Sequence, residues 1–136
     1  AQSDLFSTPI QHFLVRGYFT EGMDQIMAHM TTIEAALGML ADRGKAPPGN
    51  AKLAPGKRLE ARIAALLQDP AAATVYEELF ELRSRFVHGR SFADKVPSAD
   101  RNKARSLARR VVAGMVEAAA GPAAKSSRED FLWSLA

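Results

Sequence analysis

The stretch "ELRSRFVHGR" at residues 81–90 carries side chains that could act on a phosphate. Arg83 is a permanent cation with several N–H donors, and His88 can exchange a proton near neutral pH. Arg83 also interrupts an amphipathic helix pattern at a position where that pattern would place an apolar residue. A guanidinium drawn into apolar surroundings cannot lose its proton, so it needs a partner. The sequence therefore predicts a carboxylate close to Arg83.

A helical wheel distinguishes the two arginines and indicates the partner. With about 100° per residue and Phe80 at zero, Arg83 falls at about 300°, inside the apolar arc, and Arg85 at about 140°, on the solvated side. The arc consists of Val75, Tyr76, Leu79, Phe80, Leu82, Phe86 and Val87. Glu34 is the only acid within the apolar arc of the first helix. We therefore predict an Arg83–Glu34 pair, which either only fixes helix register or orients Arg83 towards a phosphate.

His88 lies about 140° from Arg83 on an ideal helix, so the two side chains do not share a face. It shares a polar strip with Glu77, Glu81 and Ser84. Two arrangements could still form one site: the last turn before Gly89 loosens, or two chains meet across a two-fold axis. The alternative is that His88 has no catalytic role and only interacts favourably with the helix dipole at the C-terminal end of the helix.

The periodicity predicts an all-α fold, an antiparallel bundle of four main helices with a short C-terminal helix. The predicted helices span 9–43 with a possible break near 17–20, then 58–68, 74–88 and 100–120, with a short helix at "FLWSL". Capping boxes are expected at "TVYE" (74–77) and "SRED" (127–130). Gly89 is expected to cap the third helix, and the Pro/Gly-rich stretch 44–57 connects the first two. We expect one domain over 1–136, with the lead-in 1–8 and the tail 121–136 peripheral.

Composition excludes several classes of site. The chain has no cysteine, so disulfides and thiolate zinc sites are excluded. His12, His29 and His88 form no metal-ligand spacing, and we expect no metal and no cofactor. The first residues show no signal-peptide pattern and no apolar run reaches about 18 residues, so we expect a cytoplasmic protein without a membrane segment. Because the chain does not begin with methionine, it is expected to be either a piece of a longer parent chain with further domains or a processed chain.

Basic residues concentrate in one segment. Residues 83–110 hold nine Lys/Arg and two Asp, a net +7, whereas the rest of the chain carries −4. Such a segment suits a polyanion, and a solvated helix face is the alternative. The candidates for nucleic-acid contacts are Arg85, Arg90, Arg101, Lys103, Arg105, Arg109 and Arg110.

The ordered set "IEAALGML", "RLEARIAALL", "LFELRSRFVHGR" and a final basic helix resembles the HEPN superfamily, most closely its Apea-like branch. The hallmark of that family is an arginine, four to six residues and a histidine; here it reads Arg83, four residues, His88. Glu34 matches the family glutamate of the early helix. The resemblance covers roughly residues 24–118.

The resemblance implies a helical domain, usually dimeric, in which the two motifs face each other across the interface. Many members are metal-independent endoribonucleases, some of them in defence or toxin systems. It implies that His88 moves a proton while a ribose 2′-hydroxyl attacks its own phosphate, that Arg83 stabilises the phosphorane, and that a 2′,3′-cyclic phosphate forms. The implied partners are RNA, preferably single-stranded, and a second copy of the chain.

Ser84 is a departure from the family pattern. Active members often carry asparagine or aspartate after the arginine, and serine can hydrogen-bond but supplies no carboxylate. Two hypotheses follow. The chain is either an endoribonuclease that uses Arg83, His88, Ser84 and Glu34, or a non-catalytic helical dimerisation module that binds RNA or a partner protein.

Overall fold

A computed structural model describes residues 3–89 and 96–136 of the chain. These residues form six α-helices and contain no strand, so the all-α prediction is confirmed. The helices are α1 (Ile10–Tyr18), α2 (Gly22–Leu37), α3 (Pro55–Leu67), α4 (Pro70–Val87), α5 (Ser98–Ala120) and α6 (Arg128–Leu135). Short 3₁₀ turns lie at Asp4–Phe6, Leu40–Arg43 and Pro122–Lys125.

Helix α2 supplies much of the core and packs against α1 and α5. Ile26, Met30, Ile33 and Leu37 recur at spacings of three and four, and all four are completely buried. Burying each such side chain contributes about 1.5–3 kcal/mol. These four residues form the buried stripe of α2, whereas Leu40, which continues the same spacing, lies beyond the end of the helix and is 81% exposed.

The predicted helix 9–43 is two helices. The chain turns after Tyr18, and α2 begins at Gly22, which adopts a left-handed φ of 58°. The predicted break near 17–20 is confirmed, but the predicted end at Arg43 is wrong. Helix α2 ends at Leu37, where the N–H of Gly38 donates to the carbonyl of Glu34, and a 3₁₀ turn follows.

The start of α4 also differs from the prediction. The side chain of Asp69 accepts a hydrogen bond of 3.0 Å from the N–H of Ala71, and Pro70 occupies the first turn. Both residues suit a helix start, so α4 begins four residues before Thr74. The predicted capping box at Thr74 is wrong, because Thr74 already lies inside the helix.

Both ends of the described chain belong to the core. We expected these segments to be peripheral, yet Leu5 and Leu132 are completely buried. The backbone N–H of Arg128 donates to Asp4 over 2.7 Å, and its side chain donates to the carbonyl of Ala35 over 2.7 Å. Ser127 accepts from the N–H of Asp130, as the "SRED" pattern predicts.

Two ion pairs show in which direction α5 runs relative to α4. Lys103 lies 3.6 Å from Glu78, and Arg110 lies 3.0 Å from Asp69. The residue numbers rise along one helix as they fall along the other, so the two helices are antiparallel.

Helix α1 packs closely against α2 at Gly17. A Cβ at this position would lie 2.5 Å from Cε1 of His29, so only glycine allows this contact. His29 is completely buried, and neither ring nitrogen has a hydrogen-bond partner among the described residues. Burial first, and the positive charge of Arg105 second, lower the pKa of His29 below its usual 6.5.

Candidate functional site

The predicted pair between Glu34 and Arg83 is present. Helix α2 carries Glu34, helix α4 carries Arg83, and Nη1 of Arg83 lies 2.6 Å from Oε1 of Glu34. The Arg83 side chain is 23% exposed and that of Glu34 is 38% exposed. The pair therefore lies at the rim of the core, not within it, and the arginine keeps access to solvent.

Aromatic side chains surround this pair. The hydroxyl of the buried Tyr76 donates to the same Oε1 atom of Glu34 over 3.5 Å. The guanidinium carbon of Arg83 lies 5.1 Å from the centre of the Phe80 ring, within cation–π range. Burial, followed by the negative charge of Glu34, raises the pKa of Tyr76. Tyr76 thus stays a neutral donor, and it helps to fix the carboxylate that holds Arg83.

Arg83 opens onto a cleft of about 510 Å³. Its walls come from the end of α2, the 3₁₀ turn that follows, the start of α3 and the middle of α4. The lining residues are Glu34, Gly38, Met39, Leu40, Asp42, Arg43, Pro55, Gly56, Leu59, Tyr76, Phe80 and Arg83. A cation anchored by one carboxylate in an open cleft can bind an anion.

Ser84 lines a neighbouring cleft of about 410 Å³, which shares Gly56, Tyr76 and Phe80 with the first. Lys57, Glu60 and Glu77 line the same cleft. Although Ser84 is adjacent to Arg83 in sequence, the structure does not place both in one cleft.

His88 is exposed at the end of α4. Its backbone N–H donates to the carbonyl of Ser84 over 3.0 Å, which is the α-helical bond, so the last turn has not loosened. Gly89 follows with a left-handed φ of 69°, as predicted for the cap. The separation of about 140° between Arg83 and His88 therefore holds, and a single chain does not bring them to one face.

The apolar arc of α4 is only half covered. Tyr76, Leu79 and Leu82 are buried, as predicted. Phe80, Phe86 and Val87 are 45%, 38% and 62% exposed, so only part of the predicted apolar arc lies in the core. The wheel places these side chains on one side correctly, but no element among the described residues covers the outer edge of the arc.

The predicted basic residues differ in their surroundings. Arg85 and Arg109 are exposed, whereas Arg101 is half-buried and donates to Ser98 over 2.9 Å. Lys103 pairs with Glu78 of α4, and Arg110 pairs with Asp69, the residue that caps the start of α4. Arg105 lies over the ring of Tyr18 on α1. Arg90, the remaining candidate, lies outside the described residues.

No protein-family model, curated protein or solved structure matches this chain.

The described residues contain no group of three or more His, Cys, Asp or Glu side chains that could hold a metal ion. In residues 3–89 and 96–136, no helix has both the length and the apolar character needed to cross a bilayer.

The most buried cation of the described chain, Arg62, was missed at the sequence level. It is completely buried and donates twice to Asp42, with both nitrogen–oxygen distances at 2.7 Å. It also donates to the carbonyls of Leu37 and Leu132 over 2.9 and 3.1 Å. One side chain thereby joins the end of α2, the following 3₁₀ turn, α3 and α6.

Arg58 completes this support. It donates to the carbonyl of Asp42 over 2.7 Å and to that of Gly44 over 3.3 Å. The guanidinium carbons of Arg58 and Arg62 each lie 5.1 Å from the centre of the Trp133 ring. Because Met39, Leu40 and Asp42 line the Arg83 cleft, these two arginines hold one of its walls.

Proposed function

We propose that this chain is a metal-independent endoribonuclease of HEPN type, with a site built from Arg83 and His88 of two copies. The observation that carries the proposal is the hydrogen bond of 2.6 Å from Arg83 to Glu34 at the edge of an open cleft. The pair joins the two positions that the family resemblance implies, and it leaves the arginine 23% exposed.

Arg83 has the properties needed to stabilise a phosphorane. Its hydrogen bond to Glu34 uses Nη1, and a guanidinium carries five N–H donors, so others remain for phosphate oxygens. A fixed cation that does not reorganise during the reaction lowers the barrier more than a mobile one does. Glu34 and Tyr76 act as positioning residues in this scheme.

His88 supplies the proton transfer. In the proposed reaction the 2′-oxygen forms a bond to the adjacent phosphorus while the bond from phosphorus to the 5′-oxygen breaks. The 2′-hydroxyl loses a proton and the leaving 5′-oxygen gains one, so the products are a 2′,3′-cyclic phosphate and a 5′-hydroxyl. An exposed imidazole can accept or donate such a proton.

The two-copy arrangement follows from the separation of Arg83 and His88 in one chain. A two-fold axis near the end of α4 would bring Arg83 of one copy next to His88 of the other, and the reverse. The exposed apolar side chains Leu40, Phe80 and Val87 would be covered in such a pair. Burial of these side chains favours association.

A second function, a non-catalytic dimerisation module that binds RNA or a partner protein, has one observation in its favour. Ser84 lies in a different cleft from Arg83, so it adds no acid or base to the arginine. The same helix end and the same apolar edge would then serve only for association.

Product chemistry separates the two functions. The purified chain is incubated with mixed single-stranded RNA in EDTA, beside the variants His88→Ala and Arg83→Ala, each checked for folding. We expect cyclic phosphate ends, loss of cleavage without His88 and a loss of roughly 10²–10³-fold without Arg83. Arg85→Ala is the matched control, because it removes an exposed cation two residues away. No cleavage by the folded wild-type chain would favour the binding module.

A further inference from the structure

The end of α1 and the outer side of α5 bring aromatic rings and arginines together, away from the Arg83 cleft. Tyr18 is 46% exposed and Phe19 is 83% exposed. The guanidinium carbon of Arg105 lies 5.4 Å from the centre of the Tyr18 ring. A cation stacked on Tyr18 therefore lies beside two exposed aromatic residues that are adjacent in the sequence.

Arg105 continues this surface into a shallow groove along α5 of about 490 Å³. The groove is lined by Asn102, Arg105, Ser106, Arg109, Arg110 and Ala113. Arg110 is held by Asp69 at one side, whereas none of the ion pairs among the described residues involves Arg105 or Arg109. These two arginines are four residues apart, so they lie on one helix face, with their Cβ atoms about 5–6 Å from each other.

The charge of the groove selects an anionic ligand, and the rings select one that carries planar groups. Asn102 and Ser106 add neutral donors beside the arginines. A nucleic-acid strand offers phosphates to the arginines and base faces to the rings. A duplex keeps its bases stacked on each other, so its bases cannot reach Tyr18 or Phe19.

We propose that this surface, formed by Tyr18, Phe19, Arg105 and Arg109, binds single-stranded RNA. Bases stack on Phe19 and on the open part of Tyr18, and the backbone phosphates follow the groove past Arg105 and Arg109. The site uses neither Arg83 nor His88, so it stands whether or not the chain cleaves RNA. In a chain that cleaves RNA, it would hold the substrate strand outside the Arg83 cleft.

The test measures binding without cleavage. Every protein carries His88→Ala, and the probe is a fluorescently labelled 12-nucleotide oligouridine, followed by anisotropy at several salt concentrations. We expect Phe19→Ala to weaken binding roughly tenfold through the loss of stacking. We expect Arg109→Gln to weaken binding and to reduce the slope of log affinity against log salt by about 0.7, the value for one lost contact to single-strand phosphate.

Lys103→Gln is the matched control, since Lys103 is also a cation of α5 but faces Glu78. It should change affinity and salt slope less than Arg109→Gln does. A 12-base-pair RNA duplex should bind more weakly than the single strand. The proposal is overturned by undetectable binding of oligouridine, by unchanged affinity in the Phe19 and Arg109 variants, or by an equal loss with Lys103→Gln. Phe19-dependent binding to anionic phospholipid vesicles without RNA binding would also overturn it, because it would assign the surface to a membrane.

Discussion

Nη1 of Arg83 lies 2.6 Å from Oε1 of Glu34, and this hydrogen bond joins a cation on α4 to an acid on α2. The bond fixes the guanidinium at the mouth of the cleft without burying it. The pair of Arg62 and Asp42 differs in this respect, because both of its side chains are enclosed in the interior and its cation has no access to a ligand. The exposure of the Arg83 pair agrees better with a cation that must meet a ligand.

Glu34→Gln tests the positioning role. Both groups are partly exposed, so we expect the free energy of unfolding to fall by less than about 1 kcal/mol. We expect RNA cleavage to fall roughly tenfold, about 1.4 kcal/mol in the barrier, because a neutral amide orients the guanidinium less firmly than a carboxylate does. Urea denaturation and a cleavage assay on the same preparation measure the two effects.

Glu81→Gln is the control for this variant, because Glu81 is an exposed acid on α4. It should leave both quantities close to those of wild type. Equal cleavage by wild type and Glu34→Gln would contradict the positioning role, whereas a large loss of stability would show that the pair is mainly structural.

Arg62→Ala is predicted to be far more destabilising than Arg83→Ala. Removing Arg62 leaves Asp42 buried at 6% exposure without its bidentate partner, which costs about 3–5 kcal/mol. It also leaves the carbonyls of Leu37 and Leu132 without their donor. Equilibrium denaturation in urea measures the difference between the two variants, and comparable midpoints would contradict the assignment of Arg62 as the main internal support.

Protonation of His29 is predicted to destabilise the fold in mild acid. The pKa of His29 is lowered in the folded chain, so between that pKa and 6.5 the unfolded chain binds more protons. Stability therefore rises with pH in this window and is lost as the pH falls below about 6.5, by at most about 1.4 kcal/mol per pH unit. The groups that face the ring are Tyr18 on α1 and Arg105 on α5.

His29→Leu isolates this effect, because leucine fills the site without titrating. The difference in unfolding free energy between wild type and variant should be constant above pH 7 and should shift in favour of the variant as the pH falls from 6.5. Parallel stability curves over that range would show that His29 does not titrate in this way.

The sequence was sufficient to predict the Glu34–Arg83 pair. A charge within an apolar arc needs a partner, and Glu34 was the only acid in the facing arc, so two periodic patterns and one electrostatic rule gave the contact. The cap at Gly89 was also predicted, because helices commonly end at a glycine with a left-handed φ.

Contacts that depend on irregular segments could not be predicted in the same way. Arg58 and Arg62 border the apolar positions Leu59 and Ile63 at a spacing of four, which is a usable signal for a second set of internal cations. Their acceptors, however, are Asp42 and backbone carbonyls of turns. The positions of such irregular segments cannot be predicted from a helical repeat in the sequence. The exposure of Phe80 and Val87 was missed because a wheel gives the side of a helix but not what covers it.

Complementation between two inactive variants tests whether one site takes Arg83 from one copy of the chain and His88 from the other. Arg83→Ala and His88→Ala chains are mixed, allowed to exchange subunits, and assayed for RNA cleavage in EDTA. If each site takes Arg83 from one copy and His88 from the other, each mixed dimer regains one intact site. With random exchange, half of the dimers are mixed, so roughly a quarter of wild-type activity is expected. No recovery, with mixed dimers demonstrated by mass, would contradict a site shared between two copies.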